Sequence, residues 1–83
     1  MNIYKIRQDV NDDYDTYDSA IVVANTEEEA RSMHPDGGKN DDTQQEKFYA
    51  DWAKSEDVTV ELVGVTDERY TAPEVLLASF NAG

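Results

Sequence analysis

Cysteine is absent from this chain of 83 residues. The sequence therefore excludes a disulfide framework, a thiolate nucleophile and a cysteine-based zinc site, and it fits a reducing compartment. Long apolar runs are also missing: the longest, AIVVA at residues 20–24, is far too short to span a membrane, and the opening MNIYKIRQD has no apolar signal segment. We expect a cytoplasmic protein that is not inserted in a membrane.

Basic side chains are scarce, with 7 Lys and Arg against 19 Asp and Glu and a formal net charge of -12. The negative electrostatic potential of such a chain repels nucleic acid and anionic lipid and attracts basic protein surfaces. We therefore expect a basic protein as partner, and neither direct nucleic-acid binding nor a membrane partner. Two alternatives stay open: the acids serve only solubility, or they reflect a high-salt habitat.

The acids are concentrated near the N-terminus, where residues 9–29 contain no Lys or Arg. The acidic residues of this stretch are Asp9, Asp12, Asp13, Asp15, Asp18, Glu27, Glu28 and Glu29. At its centre DDYDTYD, residues 12–18, surrounds two tyrosines with aspartates. It is either a metal loop, a recognition surface or a solvated turn.

Four segments have the composition of β-strands. NIYKIRQ (2–8) predicts a first strand, at an edge or half exposed. SAIVVAN (19–25) predicts a strand that is either covered on both faces or lies centrally under a helix, and a hairpin joins it to the first. Two later strands are predicted at about residues 58–65 and 75–80. The intervening TDERYTAP is typical of a hairpin loop.

Helix signals occur twice. In TEEEARSMHP (26–35), Thr26 is the expected N-cap and Glu29 its capping-box partner, with Arg31 and His34 toward the end that favours cations. DGGKNDD (36–42) has the composition of a mobile loop. TQQEKFYADWAK (43–54) repeats the capping-box pattern and places Phe48 and Trp52 four residues apart on a second short helix.

One small domain covering residues 1–83 accommodates these elements. The order β-β-α-(α)-β-β packs most simply as an α+β fold, a four-stranded, mainly antiparallel sheet with one or two short helices on one face.

Familiar catalytic and metal-binding patterns fail on this sequence. An EF-hand loop needs Gly at its sixth position and Glu at its twelfth. A loop that starts at Asp9 has Tyr14 and Ala20 at these two positions, and a loop that starts at Asn11 has Thr16 and Val22. The serines lack the context of an activated nucleophile, and the single His34 is expected at a helix end. We expect no enzyme activity, no resident metal and no cofactor.

The binding candidates are therefore an acidic and aromatic set. Tyrosine offers a large contact area with a polar tip, so Tyr14 and Tyr17 among aspartates can recognise an Arg- and Lys-rich patch. Trp52 is a second-rank candidate, because aromatic residues at helical spacing more often form the core than an interface. The predicted binding set is Asp12, Asp13, Tyr14, Asp15, Tyr17, Asp18 and Trp52. The alternative is that the two tyrosines lie over the sheet and the aspartates only solvate a turn.

The motifs YDTYDSAIVVANTEEEARSMHP, then VTVELVG and a terminal VLLASFNAG, resemble a group of short acidic proteins from bacteriophage and prophage genomes, over most of the chain. The group has no established function, so no functional residues follow from it. The resemblance implies a small accessory protein that binds and redirects a host protein, in some cases by imitating the charge of DNA.

The leading expectation is thus a non-enzymatic binding module that engages a basic host protein and inhibits a nucleic-acid-handling or defence protein, as a DNA mimic if the helix acids lie beside the hairpin acids. One alternative is a binder that sequesters a small molecule between subunits, with Trp52 or Tyr70 as walls. The other is a homo-oligomer that pairs the edge strand VLLASF.

Overall fold

The computed structural model describes residues 1–11, 15–40, 51–67 and 69–81. It confirms the α+β class, and the bounds of its elements are β1 (Asn2–Arg7), β2 (Thr16–Ala24), α1 (Glu27–Arg31), β3 (Thr59–Val65) and β4 (Glu74–Asn81). A short 3-10 helix at Ser55–Asp57 precedes β3. Most of the predicted second helix lies outside the described residues, and residues 51–54 are not helical.

The four strands form one antiparallel sheet in the order β3-β1-β2-β4. The predicted hairpin between β1 and β2 is confirmed. Of the two alternatives predicted for β1, the edge strand is wrong, because β3 pairs with its second side: Ile6 lies opposite Ala20 on one side and Val60 on the other. The half-exposed strand is correct, since the residues of β1 other than Tyr4 and Ile6 are at least partly exposed. The central position of β1 explains why Tyr4 and Ile6 are buried.

The predicted hairpin between the last two strands is also wrong. β3 ends beside Asn2 and β4 begins beside Val23, so residues 66–73 cross the end of the sheet from one edge to the other. Three strand spacings require about 14 Å, which this linker spans easily at about 3.3 Å per residue. The amide of Thr66 donates to the carbonyl of Met1 at 3.0 Å, which attaches the linker to the chain start.

The core lies between one face of the sheet and the segments that follow β2. Its buried residues are Tyr4, Ile6, Ala20, Val22, Ala24, Ala30, Met33, Trp52, Ala53 and Val58. Side chains of β1 and β2 alternate between two faces, which is why residues spaced by two recur in this cluster. The helix contributes through Ala30, its one buried residue.

Helix α1 begins as the sequence predicts and ends earlier. Thr26 Oγ1 accepts the amide of Glu29 at 3.1 Å, and the Glu29 carboxylate accepts the amide of Asn25 at 2.7 Å. The helix stops at Arg31, whose guanidinium donates to the carbonyl of Val58 and joins α1 to the start of β3. In the described part of the chain, no helix has the length and apolarity needed to cross a membrane.

The residues after α1 turn back instead of extending the helix. Met33 forms an isolated antiparallel bridge with Lys39, and the amide of His34 donates to the carbonyl of Gly38 at 2.7 Å. Gly37 has φ 104, a value that residues with a side chain rarely adopt. The described part of the predicted loop, residues 36–40, is thus a hydrogen-bonded turn, and residues 41 and 42 lie outside the described residues.

Candidate functional site

The turn between β1 and β2 is organised by a buried glutamine. Gln8, 8% exposed, accepts the amides of Val10 and Asn11 at 2.9 and 2.7 Å through Oε1. Its Nε2 donates to the carbonyls of Asn11 and Tyr17 at 2.6 and 2.9 Å. One side chain therefore connects both arms of the acidic hairpin. Sequence reasoning missed Gln8, since nothing distinguishes a polar residue at a strand end from a solvated one.

The structure describes only part of the predicted acidic motif, because Asp12, Asp13 and Tyr14 lie outside the described residues. Asp15 is exposed and has φ 61, a left-handed conformation that Asp adopts more readily than most residues. Asp18 is also exposed, and its Oδ2 accepts the hydroxyl of Ser79 at 3.4 Å. Two carboxylates therefore reach solvent at the hairpin end of the sheet.

Tyr17 has a mixed role that the sequence left open. It is half-buried and packs against the core, and its ring meets the His34 imidazole edge-on at 5.6 Å between centroids. Its other neighbour is Phe80 of β4, with ring centroids 4.8 Å apart at 55°. The interpretation that the tyrosine lies over the sheet is thus correct for Tyr17, yet the ring also supports an exposed aromatic neighbour.

Phe80 is the residue at this site that sequence reasoning did not select. It remains 48% exposed although it contacts Tyr17, and it pairs with Tyr17 in the register of β2 and β4. We call Asp15, Tyr17, Asp18 and Phe80, which share the hairpin end of the sheet, the acidic-aromatic patch. Asp18 contacts Ser79, so its carboxylate lies toward the face of the sheet opposite the Phe80 ring. The chemistry of the patch combines negative charge with aromatic contact area, which suits guanidinium and ammonium groups.

The helix acids do not lie beside this patch. β2 begins next to the hairpin and ends before Thr26, and the part of β2 from Asp18 to Ala24 separates the two groups by about 20 Å at 3.3 Å per residue. Glu27 and Glu28 are exposed at the far end of the sheet. A DNA mimic is expected only if the helix acids lie beside the hairpin acids. Among the described residues, the two groups do not lie side by side.

Trp52 is 1% exposed and belongs to the core cluster. The core interpretation that its spacing favoured is correct, and this side chain is neither an exposed anchor nor a wall open to a ligand. Tyr70, the other proposed wall, is half-buried and has the Arg69 guanidinium 5.8 Å from its ring centroid.

His34 is a further residue whose environment the sequence did not reveal. The prediction that it ends a helix is wrong: it lies beyond the C-cap Ser32, is 6% exposed, and has Nε2 2.8 Å from Oδ1 of Asp51. Its Nδ1 accepts the amide of Asp36 at 3.0 Å. Both ring nitrogens are therefore engaged in holding the fold, which leaves neither available as a general base.

No group of three or more His, Asp or Glu side chains within the described ranges has an arrangement that would hold a metal ion. The chain matches no protein-family model, and comparisons with curated proteins and with solved structures give no match either. The resemblance to phage proteins stays a prediction.

Proposed function

We propose that this chain is a non-enzymatic binding module whose acidic-aromatic patch engages a basic surface of a host protein. The observation that carries the proposal is the contact between Tyr17 and Phe80, which places a half-exposed ring at the same end of the sheet as the exposed carboxylates of Asp15 and Asp18. Aromatic residues are enriched at interface centres, and complementary charge accelerates encounter.

The backbone of Tyr17 is held by hydrogen bonds within the fold, which favours its role in an interface. Tyr17 donates its amide to the Asp51 carbonyl at 2.8 Å and accepts Gln8 Nε2 at its own carbonyl, so its backbone is fixed on both sides. A fixed backbone lowers the entropy lost when a partner orders the site. Pre-organised aromatic contacts are therefore combined with charge at one end of the sheet.

The partner class follows from this chemistry. A surface rich in Arg and Lys that attracts carboxylates and stacks on an aromatic ring is the type of surface that binds nucleic acid. The proposed partner is therefore a nucleic-acid-handling or defence protein, and the module inhibits it by occupying that surface. The two separated acid groups favour local blocking of a basic site over imitation of a continuous DNA backbone.

The test is affinity capture from bacterial lysate followed by titration of the identified protein with purified variants. Asp15→Asn with Asp18→Asn removes two charges from the patch. Glu27→Gln with Glu28→Gln removes two exposed charges from the opposite end of the sheet and is the matched control. Both double variants keep side-chain size, and circular dichroism checks that both stay folded.

We expect one host protein whose binding weakens as salt rises, is lost with the patch variant and persists with the control, because screening reduces attraction between exposed charges. Phe80→Thr should weaken the same complex without changing the net charge. Equal loss of binding with both double variants would show that net charge alone, and not the patch, attracts the partner. Undiminished binding by the patch variant would refute the assignment of the patch as the binding surface.

A further inference from the structure

Among the described residues, all the exposed large hydrophobic side chains except Val10 lie on the two edge strands. β3 exposes Leu62, Val63 and Val65, and β4 exposes Leu76, Leu77 and Phe80, with Leu77 69% accessible. Each of these strands has a strand neighbour on one side only within the described sheet. An edge of this kind presents unpaired backbone groups, and proteins usually protect it with charged residues or Pro.

β4 lacks most of that protection. Its sequence EVLLASFN contains one charged residue, Glu74, at its first position, and no Pro or Lys. A bulge at Leu76 shifts the register against β2, but residues 77–81 follow it without a further insertion on the β4 side. β3 differs, since Glu61 lies within the strand.

From these features we propose that β4 pairs antiparallel with β4 of a second copy of this chain, which joins two sheets into one of eight strands around a two-fold axis. A two-fold axis makes an interface self-complementary and closes the assembly at two subunits. We call the two paired β4 strands the seam. The two-fold axis places the two Glu74 residues at opposite ends of the seam, so that no like charges of β4 face each other.

The charge distribution favours a second copy over a basic partner at this edge. Beyond Glu74, β4 offers no carboxylate to a basic surface, whereas a second β4 offers matching apolar side chains and backbone groups. β4 ends beside Thr16 at the hairpin, so antiparallel pairing puts the two acidic-aromatic patches at opposite ends of the dimer. This arrangement keeps the two patches apart, but it places each patch beside the Glu74 end of the other β4, and the two chains, each of net charge -12, still repel one another.

Phe80 belongs both to the acidic-aromatic patch and to the β4 edge, but the response to salt separates this inference from the proposed function. Dimerisation should strengthen as salt rises, because screening reduces repulsion between chains of like charge, whereas binding of a basic partner should weaken.

The first experiment is sedimentation equilibrium of the full chain at low and high salt. Leu77→Lys inserts a charge into the proposed seam, and Leu62→Lys makes the same change at a 62% exposed position of β3 as the matched control. We expect dimerisation of the unmodified chain, a dissociation constant raised about tenfold or more by Leu77→Lys, and little effect of Leu62→Lys. Because both side chains reach solvent, circular dichroism and thermal melting should show intact folds.

A second experiment locates the seam. Since the chain has no cysteine, single Cys substitutions at Leu77, Ala78 and Ser79 can form only intermolecular disulfides. Cα atoms of directly opposed residues lie about 4.5 to 5.5 Å apart in antiparallel strands, within the range that a disulfide spans. We expect rapid oxidation to a dimer at one of these positions and none with Leu62→Cys.

A chain that stays monomeric at every salt concentration would overturn the proposal. Loss of the dimer with Leu62→Lys and not with Leu77→Lys would assign the interface to β3 and would equally reject it. A dimer that neither Leu77→Lys nor Leu62→Lys weakens would use another surface and would reject the proposal as well.

Discussion

Nε2 of His34 lies 2.8 Å from Oδ1 of Asp51, and this contact links the turn after α1 to the segment before β3. Nδ1 of the same ring lies 3.0 Å from the amide nitrogen of Asp36 and 3.1 Å from Oδ1 of its carboxylate, so both ring nitrogens have polar partners. The backbone carbonyl of Asp51 accepts the amide of Tyr17. Asp51 is therefore held by β2 through its backbone and by His34 through its side chain.

This pair predicts a graded series of stabilities. Asp51→Asn keeps an acceptor for the imidazole and should lower the free energy of unfolding by about 1 kcal/mol, whereas Asp51→Ala leaves a nearly buried donor without a partner and should cost about 2 kcal/mol. His34→Ala also leaves a cavity beside Tyr17 and Trp52 and should cost about 3 kcal/mol. Urea unfolding followed by circular dichroism measures the series. Equal values for the two Asp51 variants would contradict the role assigned to its carboxylate.

The N-cap of α1 gives a second prediction. Thr26→Ala removes the acceptor of the Glu29 amide and should lower the free energy of unfolding by about 1 kcal/mol, while Thr26→Ser should change it little. Glu29→Gln retains an acceptor for the Asn25 amide and tests how much the charge at the helix start contributes. Thermal unfolding of the three variants checks this, and a Ser variant as unstable as the Ala variant would show that the hydroxyl is not the stabilising group.

Local features of this fold were readable from the sequence, because each depends on a few adjacent residues. The strands follow short segments rich in apolar and β-branched side chains, and the start of α1 follows from Thr26 and Glu29. The order of strands was not readable, since eight residues between β3 and β4 suit either a hairpin or a crossing of the sheet end. The crossing depends on β3 pairing with β1, a contact between residues about sixty positions apart.

The same limit applies to the candidate site. Tyr17 and Asp18 were identified from their local motif, but Phe80 reaches Tyr17 only through the pairing of β2 with β4. His34 has the flanking residues of a helix end, and its burial depends on Asp51, a partner seventeen positions away. Side chains whose role is set by distant partners carry no local signature.

An exposed ion pair in the linker between β3 and β4 predicts a measurable pKa. Side-chain hydrogen bonds from Arg69, assisted by its backbone amide, lower the pKa of Asp67 from 3.8 to about 2. A carboxyl group with a lowered pKa stabilises the fold above its unfolded value, and that contribution is lost as the pH falls through the folded value. Arg69→Gln should therefore raise the pKa of Asp67 toward 3.8, as measured by NMR titration of the carboxyl carbon. An unchanged midpoint would show that the guanidinium does not cause the shift.

Gln8 allows the sharpest test of how the acidic hairpin is built. Gln8→Glu keeps acceptors for the amides of Val10 and Asn11 but directs a carboxylate oxygen at two carbonyls, and Gln8→Leu removes all four hydrogen bonds while retaining bulk. Because buried polar groups without partners are costly, we expect Gln8→Leu to lower the free energy of unfolding by about 3 kcal/mol. Gln8→Glu should be similarly harmful at neutral pH and should recover as the pH falls, because a protonated carboxyl can donate one hydrogen bond. Chemical unfolding at two pH values, referred to the unmodified chain, measures both effects. If Gln8→Glu shows no recovery relative to Gln8→Leu in acid, donation to the hairpin carbonyls is not what stabilises this turn.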